Sequence, residues 1–290
     1  MSIMRRLLYV TFANEESATG GGQCAGRNLE SLQILLGKDN VVDYILYPQK
    51  GKRSFSERIS RLIGVCKGYM GGLTDEHIHR IMSLLDKGTF TDVFIDSSQL
   101  GLLAKNIRLK HKDIRILTFF HNIEQDYMRS VTVDSGDYIH SFWIRGAKFN
   151  EKNACRYSNV VITLNKKDSQ RLVEVYSRKA DAIIPITMKD NYHDMQDYKL
   201  KRCSEGKTKN AFFLGSYFPG NVKGLKWFCE EILPEVDLHL TIAGSGMDAF
   251  AHEITLTDKV SLYSFVDDLT ALYEDADFVL LPIISGGGMK

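Results

Sequence analysis

Two glycine runs and one histidine are the residues of this chain whose type and placing could do chemistry. Gly20-Gly21-Gly22 follows the apolar run Leu7–Phe12 and precedes a helical pattern, and Gly286-Gly287-Gly288 follows the apolar run Phe278–Leu281. Glycines at a strand end let backbone N–H groups approach a phosphate, helped by the dipole of a helix that starts there. Neither run spells G-x-x-x-x-G-K-[ST] or G-x-G-x-x-G, so the P-loop and dinucleotide readings are weak, and a plain tight turn competes with both. His121-Asn122 follows the apolar run Ile114–Phe120 directly. A histidine at a strand tip can hydrogen-bond a hydroxyl or a developing charge near neutral pH, or can serve packing alone. The sequence contains no G-x-S-x-G, no H-E-x-x-H, no CxxC and no metal-ligand spacing.

The elements that must position these residues alternate in type. Strand patterns at Leu7–Phe12, Val41–Tyr47, Asp92–Asp96, Ile114–Phe119, Asn159–Leu164 and Ala182–Pro185 are separated by helical ones. The helical patterns include one with Ala25, Leu29, Leu32 and Leu36 on one face, and others at Ser54–Lys67, Asp75–Asp86 and Lys166–Tyr176. Alternation of this kind predicts parallel βαβ units, and continuous apolar strands predict sheets covered on both faces. Residues 188–209 are polar and aperiodic and read as a linker between residues 1–187 and 210–290. The pattern resumes with strands at Asn210–Leu214, Asp237–Ala243, Lys259–Tyr263 and Phe278–Leu281 and helices at Val222–Ile232 and Asp267–Asp275. The sequence stops at a glycine loop with no helix after it, so the reading expects a truncated second domain.

Composition sets outer bounds. With 290 residues, 44% hydrophobic and 25% charged, the chain can bury a sizeable core. The net charge of +1 conceals an asymmetry. From Asn210 onward four Lys and no Arg stand against twelve acids, so the first 209 residues carry a matching excess of base. A basic half can meet phosphates or an anionic membrane face, or be an ordinary solvated surface. The Ser54–Lys67 helix sets Arg58, Arg61 and Lys67 around Phe55, Ile59, Leu62 and Ile63. That pattern suits a core-packed helix with a basic outer face, or one that lies on a surface. Five scattered cysteines suggest neither a disulfide frame nor a zinc site, and the N-terminus lacks a signal-peptide pattern, so a cytoplasmic location is expected.

Several segments resemble a known family. TFFHNIEQDYMR (118–129), NACRYSNVVITLNKKDSQRLVEVY (153–176), NAFFLGSYFPGNVKGLKWFCEEILP (210–234), LHLTIAGSGM (238–247) and VSLYSFVDDLTALYEDADFVLLPIISGGGMK (260–290) are similar, in order and spacing, to retaining GT-B-fold glycosyltransferases of family 4. The resemblance implies two Rossmann-like α/β domains with parallel sheets facing a cleft, the second incomplete here. It implies transfer of a sugar from a nucleotide-sugar donor to a glycan or lipid-linked acceptor, with no cofactor, no required metal and no nucleic-acid partner. Peripheral contact with the inner membrane face through the basic half is a further expectation. Position by position, Gly21 and Gly22 would approach the donor diphosphate, His121 the transferred sugar, Gly244 the nucleotide, and Gly286, Gly287 and Gly288 the donor from the other domain. Ser216 stands where many members carry Arg, and Lys223 sits in a Lys-Gly pair within the long-looking SYFPGNVKG segment. The E-x7-E motif of the family would fall beyond Lys290, so this chain itself is expected to be inactive. Two alternatives stay open: a fragment that only binds ligand, and a nucleotide-sugar epimerase on the same fold.

Overall fold

The computed structural model describes residues 5–12, 20–46, 55–135, 140–187, 208–255 and 257–283. The chain divides into two compact units, Met1–Lys189 with Gly287–Lys290, and Asp190–Gly286. The expected linker lies almost wholly outside the described residues.

In the first unit six parallel strands take the order β2-β1-β3-β4-β5-β6. They are β1 Leu7–Thr11, β2 Val41–Ile45, β3 Asp92–Ile95, β4 Arg115–Phe120, β5 Val160–Thr163 and β6 Ala182–Ile183. Alternate residues of one strand face opposite ways, and both faces are covered. Leu8, Val10, Val93, Ile95 and Ile116 pack with Ile81 and Leu85 of α3 (Asp75–Lys87) and with Leu103, Ala104 and Ile107 of α4 (Gly101–Lys110). Leu7, Tyr9, Phe94, Phe119 and Ile162 pack instead with Cys24 of α1 (Gly20–Leu36), whose Leu29, Leu32 and Leu36 complete that layer. This is why the strands read as unbroken apolar runs rather than alternating ones.

The remaining helices of this unit are α2 (Phe55–Cys66), α5 (Glu124–Ser135), α6 (His140–Tyr157) and α7 (Lys166–Tyr176). Asn165 starts α7 at the expected residue by accepting the Asp168 N–H at 2.8 Å. The sequence patterns gave no sign of α4 or α5. Helix α5 carries the β-branched run Val131-Thr132-Val133, a weak helix former. Its first N–H groups are met from another helix: the Glu151 carboxylate of α6 accepts from Glu124 N at 2.7 Å and Gln125 N at 3.4 Å. A cap supplied 27 residues downstream leaves no local signature. The glycine run at 20–22 also differs from expectation, since it forms the first turn of α1 rather than a loop before it.

The second unit is a parallel sheet in the order β10-β7-β8-β9, from β7 Lys209–Leu214, β8 Leu238–Ala243, β9 Val260–Tyr263 and β10 Phe278–Val279. Its core joins Ala211, Phe213, Leu240 and Ile242 of the strands to Leu225 of α8 (Pro219–Trp227), with Met247 and Phe250 beyond β8. Helix α8 starts three residues before the expected Val222, because Pro219 occupies its first turn with a preset φ and no N–H to satisfy. It relaxes into a wider π turn over Phe228–Ile232. The last helix, α9, covers only Thr270–Asp275.

Strand order locates the place where ligands enter such sheets. In the first unit the chain runs outward from β1 to β2 and then crosses back to β3, so the crossovers diverge between the carboxyl ends of β1 and β3. In the second unit they diverge between β7 and β10.

Candidate functional site

At the divergence point of the first unit stands a carboxylate that the sequence motifs did not single out. Asp96 follows β3 and is 2% exposed. It accepts from Asn28 Nδ2 of α1 at 2.8 Å, and Thr11 Oγ1 at the end of β1 lies 3.5 Å away. His121, just past β4, brings its Nε2 to 2.9 Å from the Asp96 carbonyl oxygen and 3.3 Å from Oδ2. A carbonyl oxygen can only accept, so Nε2 carries a proton. The ring rests edge-on to Phe119, with centroids 5.0 Å apart. Burial by itself disfavours the imidazolium, but hydrogen bonds to Asp96 and Cys24 outweigh it and hold His121 well above the ordinary histidine range. The first unit thus holds an imidazole at a strand tip in hydrogen-bonding reach of a buried carboxyl group.

Close to His121 lie two further buried acids, Glu124 and Glu151. Glu124, 6% exposed, is pushed up to about 7 by burial, against the opposing pull of Gln99 and His121. Glu151, fully buried, is pushed up to about 8, again chiefly by burial, although Tyr176 Oη donates to it at 2.7 Å. Gln125 Nε2, Asn122 Oδ1 and Ser98 Oγ are buried polar atoms with no hydrogen-bond partner among the described residues. Two of the three follow His121 within four residues, so this strand tip holds unspent hydrogen-bonding capacity.

The second unit builds its strand tip from backbone. Gly215 N donates to Ala243 O and Tyr217 N to Ser245 O, each at 2.9 Å, which ties the turn after β7 to the turn after β8. Gly244 has φ +143° and lies so close that a Cβ there would sit 2.1 Å from the Gly215 carbonyl oxygen. Ser216 is exposed, and its carbonyl accepts from Asn221 Nδ2 at 2.9 Å. Phe218 precedes the helix, so the SYFPGNVKG segment is a short turn followed by the first turn and a half of α8. Lys223 is exposed on that helix and has no hydrogen-bonding or ion-pair partner among the described residues. Gly224 beside it brings α8 against the chain leaving β10, where a Cβ would sit 1.5 Å from the Pro282 carbonyl oxygen.

Comparison with known proteins assigns this arrangement. Residues 208–290 match the family model described as glycosyl transferases group 1. The second unit is thus the part of the chain that resembles glycosyl transferases group 1, and the chain as a whole has the GT-B fold. The fold likeness extends over both units. Sucrose-phosphate synthase from Thermosynechococcus elongatus superposes with a TM-score of 0.66 at 11% identity, over 97% of this chain and 76% of that one. The catalytic domain of starch synthase IV from Arabidopsis thaliana, bound to ADP and acarbose, gives 0.57 at 11%, over 97% and 79%. Anabaena HepE in complex with UDP and glucose gives 0.55 at 9%, over 95% and 73%. No curated protein sequence matches the chain.

Within this GT-B fold the expected site residues fall into three groups. His121 stands at a strand tip of the first unit, while Ser216, Lys223 and Gly244 gather around the β7 and β8 tips of the second. Gly21 and Gly22 open α1; Gly21 is exposed and Gly22 buried. Gly286, Gly287 and Gly288 lie outside the described residues. Asp96, Asn28, Glu124 and Glu151 were not foreseen. Asp96 alone had a visible signal: it is the polar residue that ends the apolar run DVFID, the same placing that drew notice to His121. Among the described residues no three His, Cys, Asp or Glu side chains converge as a metal ion would need.

Proposed function

We propose that this protein is a glycosyltransferase that moves a sugar from a nucleoside-diphosphate donor to a glycan or lipid-linked acceptor, with retention of configuration. The observation that carries the reading is Lys223, an exposed cation in the second turn of α8, beside the β7–β10 divergence point of the unit that matches the group 1 family. As the anomeric bond breaks, negative charge gathers on the departing diphosphate. Lys223 and the backbone N–H groups at the start of α8 are the groups that would receive it. Charge stabilisation from these groups alone lets the scheme run without a metal. His121, held by Asp96, would donate to the sugar as the ring takes on oxocarbenium character. Asp96 acts through His121 and is a positioning residue. Gly21, Gly22, Ser216, Gly244 and Gly286 to Gly288 would line the donor with backbone. That relatives of the same fold were crystallised with UDP and glucose, and with ADP and acarbose, supports this class of donor.

Calorimetric titration of UDP-, GDP- and ADP-sugars, paired with a product assay, tests the reading. Binding of one nucleotide series with transfer to an added acceptor is the expected result. Conversion of donor without acceptor would instead make the protein an epimerase. Binding with no product would make it a binding module.

A further inference from the structure

Two adjacent polar residues in the middle of α6, Asn150 and Glu151, are both fully buried. Asn150 Oδ1 accepts from Leu102 N in the first turn of α4 at 2.8 Å. Glu151 accepts from Glu124 N and Gln125 N in the first turn of α5. Successive helix residues point about 100° apart, so one position cannot serve both neighbours but two can. An apolar residue, Leu100 or Ile123, stands immediately before each helix, where a Ser, Thr, Asp or Asn would supply a local cap. The orphan N–H groups of two helices are therefore met from a third.

These two helices are the ones that leave the strand tips of the first unit. Asp96 lies five residues before Gly101, which opens α4, and His121 lies three before Glu124, which opens α5. Both side chains of the clamp are themselves fastened. Asn150 Nδ2 donates to the Gly68 carbonyl at 3.0 Å and to that of Gly146 at 3.1 Å, and Tyr176 Oη donates to Glu151 at 2.7 Å. Helices α4 and α6 meet without slack, since a Cβ on Gly101 would sit 1.8 Å from the Asn150 carbonyl oxygen. Local caps would satisfy each helix alone. Caps drawn from one helix also fix the two starts relative to each other, and so the two tips.

We propose that Asn150 and Glu151 are positioning residues, which hold the starts of α4 and α5 so that the His121 ring stays within hydrogen-bonding reach of Asp96. That His121 serves sugar transfer rests on the proposed function; that α6 sets its place does not.

The test is nuclear magnetic resonance of the whole chain, following the proton on His121 Nε2, assigned by its absence from His121→Ala. Glu151→Met keeps the length of the side chain and removes the acceptor. It should speed solvent exchange of that proton by at least about tenfold. Glu151→Gln keeps an oxygen for the Glu124 N–H and should exchange as wild type does. His239 in the second unit, whose Nε2 lies 2.9 Å from Ser261 Oγ, is the internal control and should not change. Asn150→Leu should act on His121 as Glu151→Met does. A folded Glu151→Met protein with the His121 signal of wild type overturns the proposal, as does an equal change at His239. Should Glu151→Met fail to fold, Glu151→Asp, one methylene too short to reach α5, decides by the same signals, and loss of the fold in both makes Glu151 a stability residue and overturns the proposal too. In a transfer assay Glu151→Met should lower kcat about tenfold and leave donor KM within about threefold. An unchanged kcat beside an altered His121 signal would overturn the role given to His121 in transfer and leave the clamp standing.

Discussion

The two units arrange the same kind of strand tip from opposite materials. In the first, side chains do the holding: a buried Asp96 gathers Asn28, Thr11 and His121, and the buried carboxyls of Glu124 and Glu151 lie behind them. In the second, backbone does the holding: Gly215 and Gly244 pack carbonyl against Cα, and Gly224 admits α8 to the Pro282 carbonyl. The consequence is electrostatic. The first tip offers an imidazole whose charged form is favoured by hydrogen bonds to Asp96 and Cys24. The second leaves its cation, Lys223, exposed on a helix and unpaired among the described residues. A group that must orient a neutral sugar gains from rigidity, whereas a group that must neutralise a leaving diphosphate gains from reach.

The largest expected effect comes from breaking the backbone contact of the second tip. Gly224→Ala puts a methyl group 1.5 Å from a carbonyl oxygen that β10 holds in place. The second unit should lose about 4 kcal/mol or fail to fold, while the first unit's unfolding transition stays in place. Two transitions in urea, followed by fluorescence and by circular dichroism, would show this. A variant as stable as wild type would mean that the α8–β10 contact yields easily.

Next come His121 and Lys223, to which the proposed function gives different parts of the donor. Lys223→Ala should weaken binding of the free nucleoside diphosphate by about tenfold. His121→Ala should leave that affinity within about threefold and instead cost roughly 2–4 kcal/mol in kcat/KM for transfer. If both variants lose nucleoside-diphosphate affinity equally, the division of labour fails.

A smaller effect separates the units by pH. Glu124 and Glu151 have folded-state values raised to about 7 and about 8, above those of an unfolded chain. Between about pH 5 and 8 the folded protein therefore holds more protons than the unfolded one, and stability falls as pH rises. His121, also raised, acts in the same direction: its contribution is complete below the unfolded histidine value and is lost as pH passes the folded one. Glu124→Gln should flatten the slope of unfolding free energy by up to about 1.4 kcal/mol per pH unit below pH 7. An unchanged slope would show that this carboxyl is not held neutral.

The smallest effect is at Gly21. A Cβ there meets nothing within 4 Å, and the residue is already in the first turn of a helix. Gly21→Ala should change stability by no more than about 0.5 kcal/mol, in the stabilising direction. Any loss of nucleotide-sugar binding in that variant would then report on a ligand and not on the fold.

Much of the architecture could be read from residue order. Strand patterns recur as four- to six-residue apolar runs, and burial on both faces of a parallel sheet is what makes them continuous, so the alternation of β and α needed no coordinates. His121 was visible because it ends such a run, whereas the Lys223-Gly224 pair drew notice only through the family resemblance. Helices α4 and α5 were not visible, because α5 is capped by Glu151 from a distant helix and α4 owes its place to Leu103, Ala104 and Ile107 packing under the sheet.

Residue order is enough to say which residues stand at strand ends, since local pattern and turn chemistry depend on near neighbours. Which ends come together is a property of the assembled sheets. Strand order, and with it the β1–β3 and β7–β10 divergence points, is set by which faces pack over which helices. The pairing of Asp96 with His121, 25 residues apart, exists because β3 and β4 lie side by side. A hydrogen bond between two tips has no local signal, because its strength depends on the desolvation that the assembled sheet imposes.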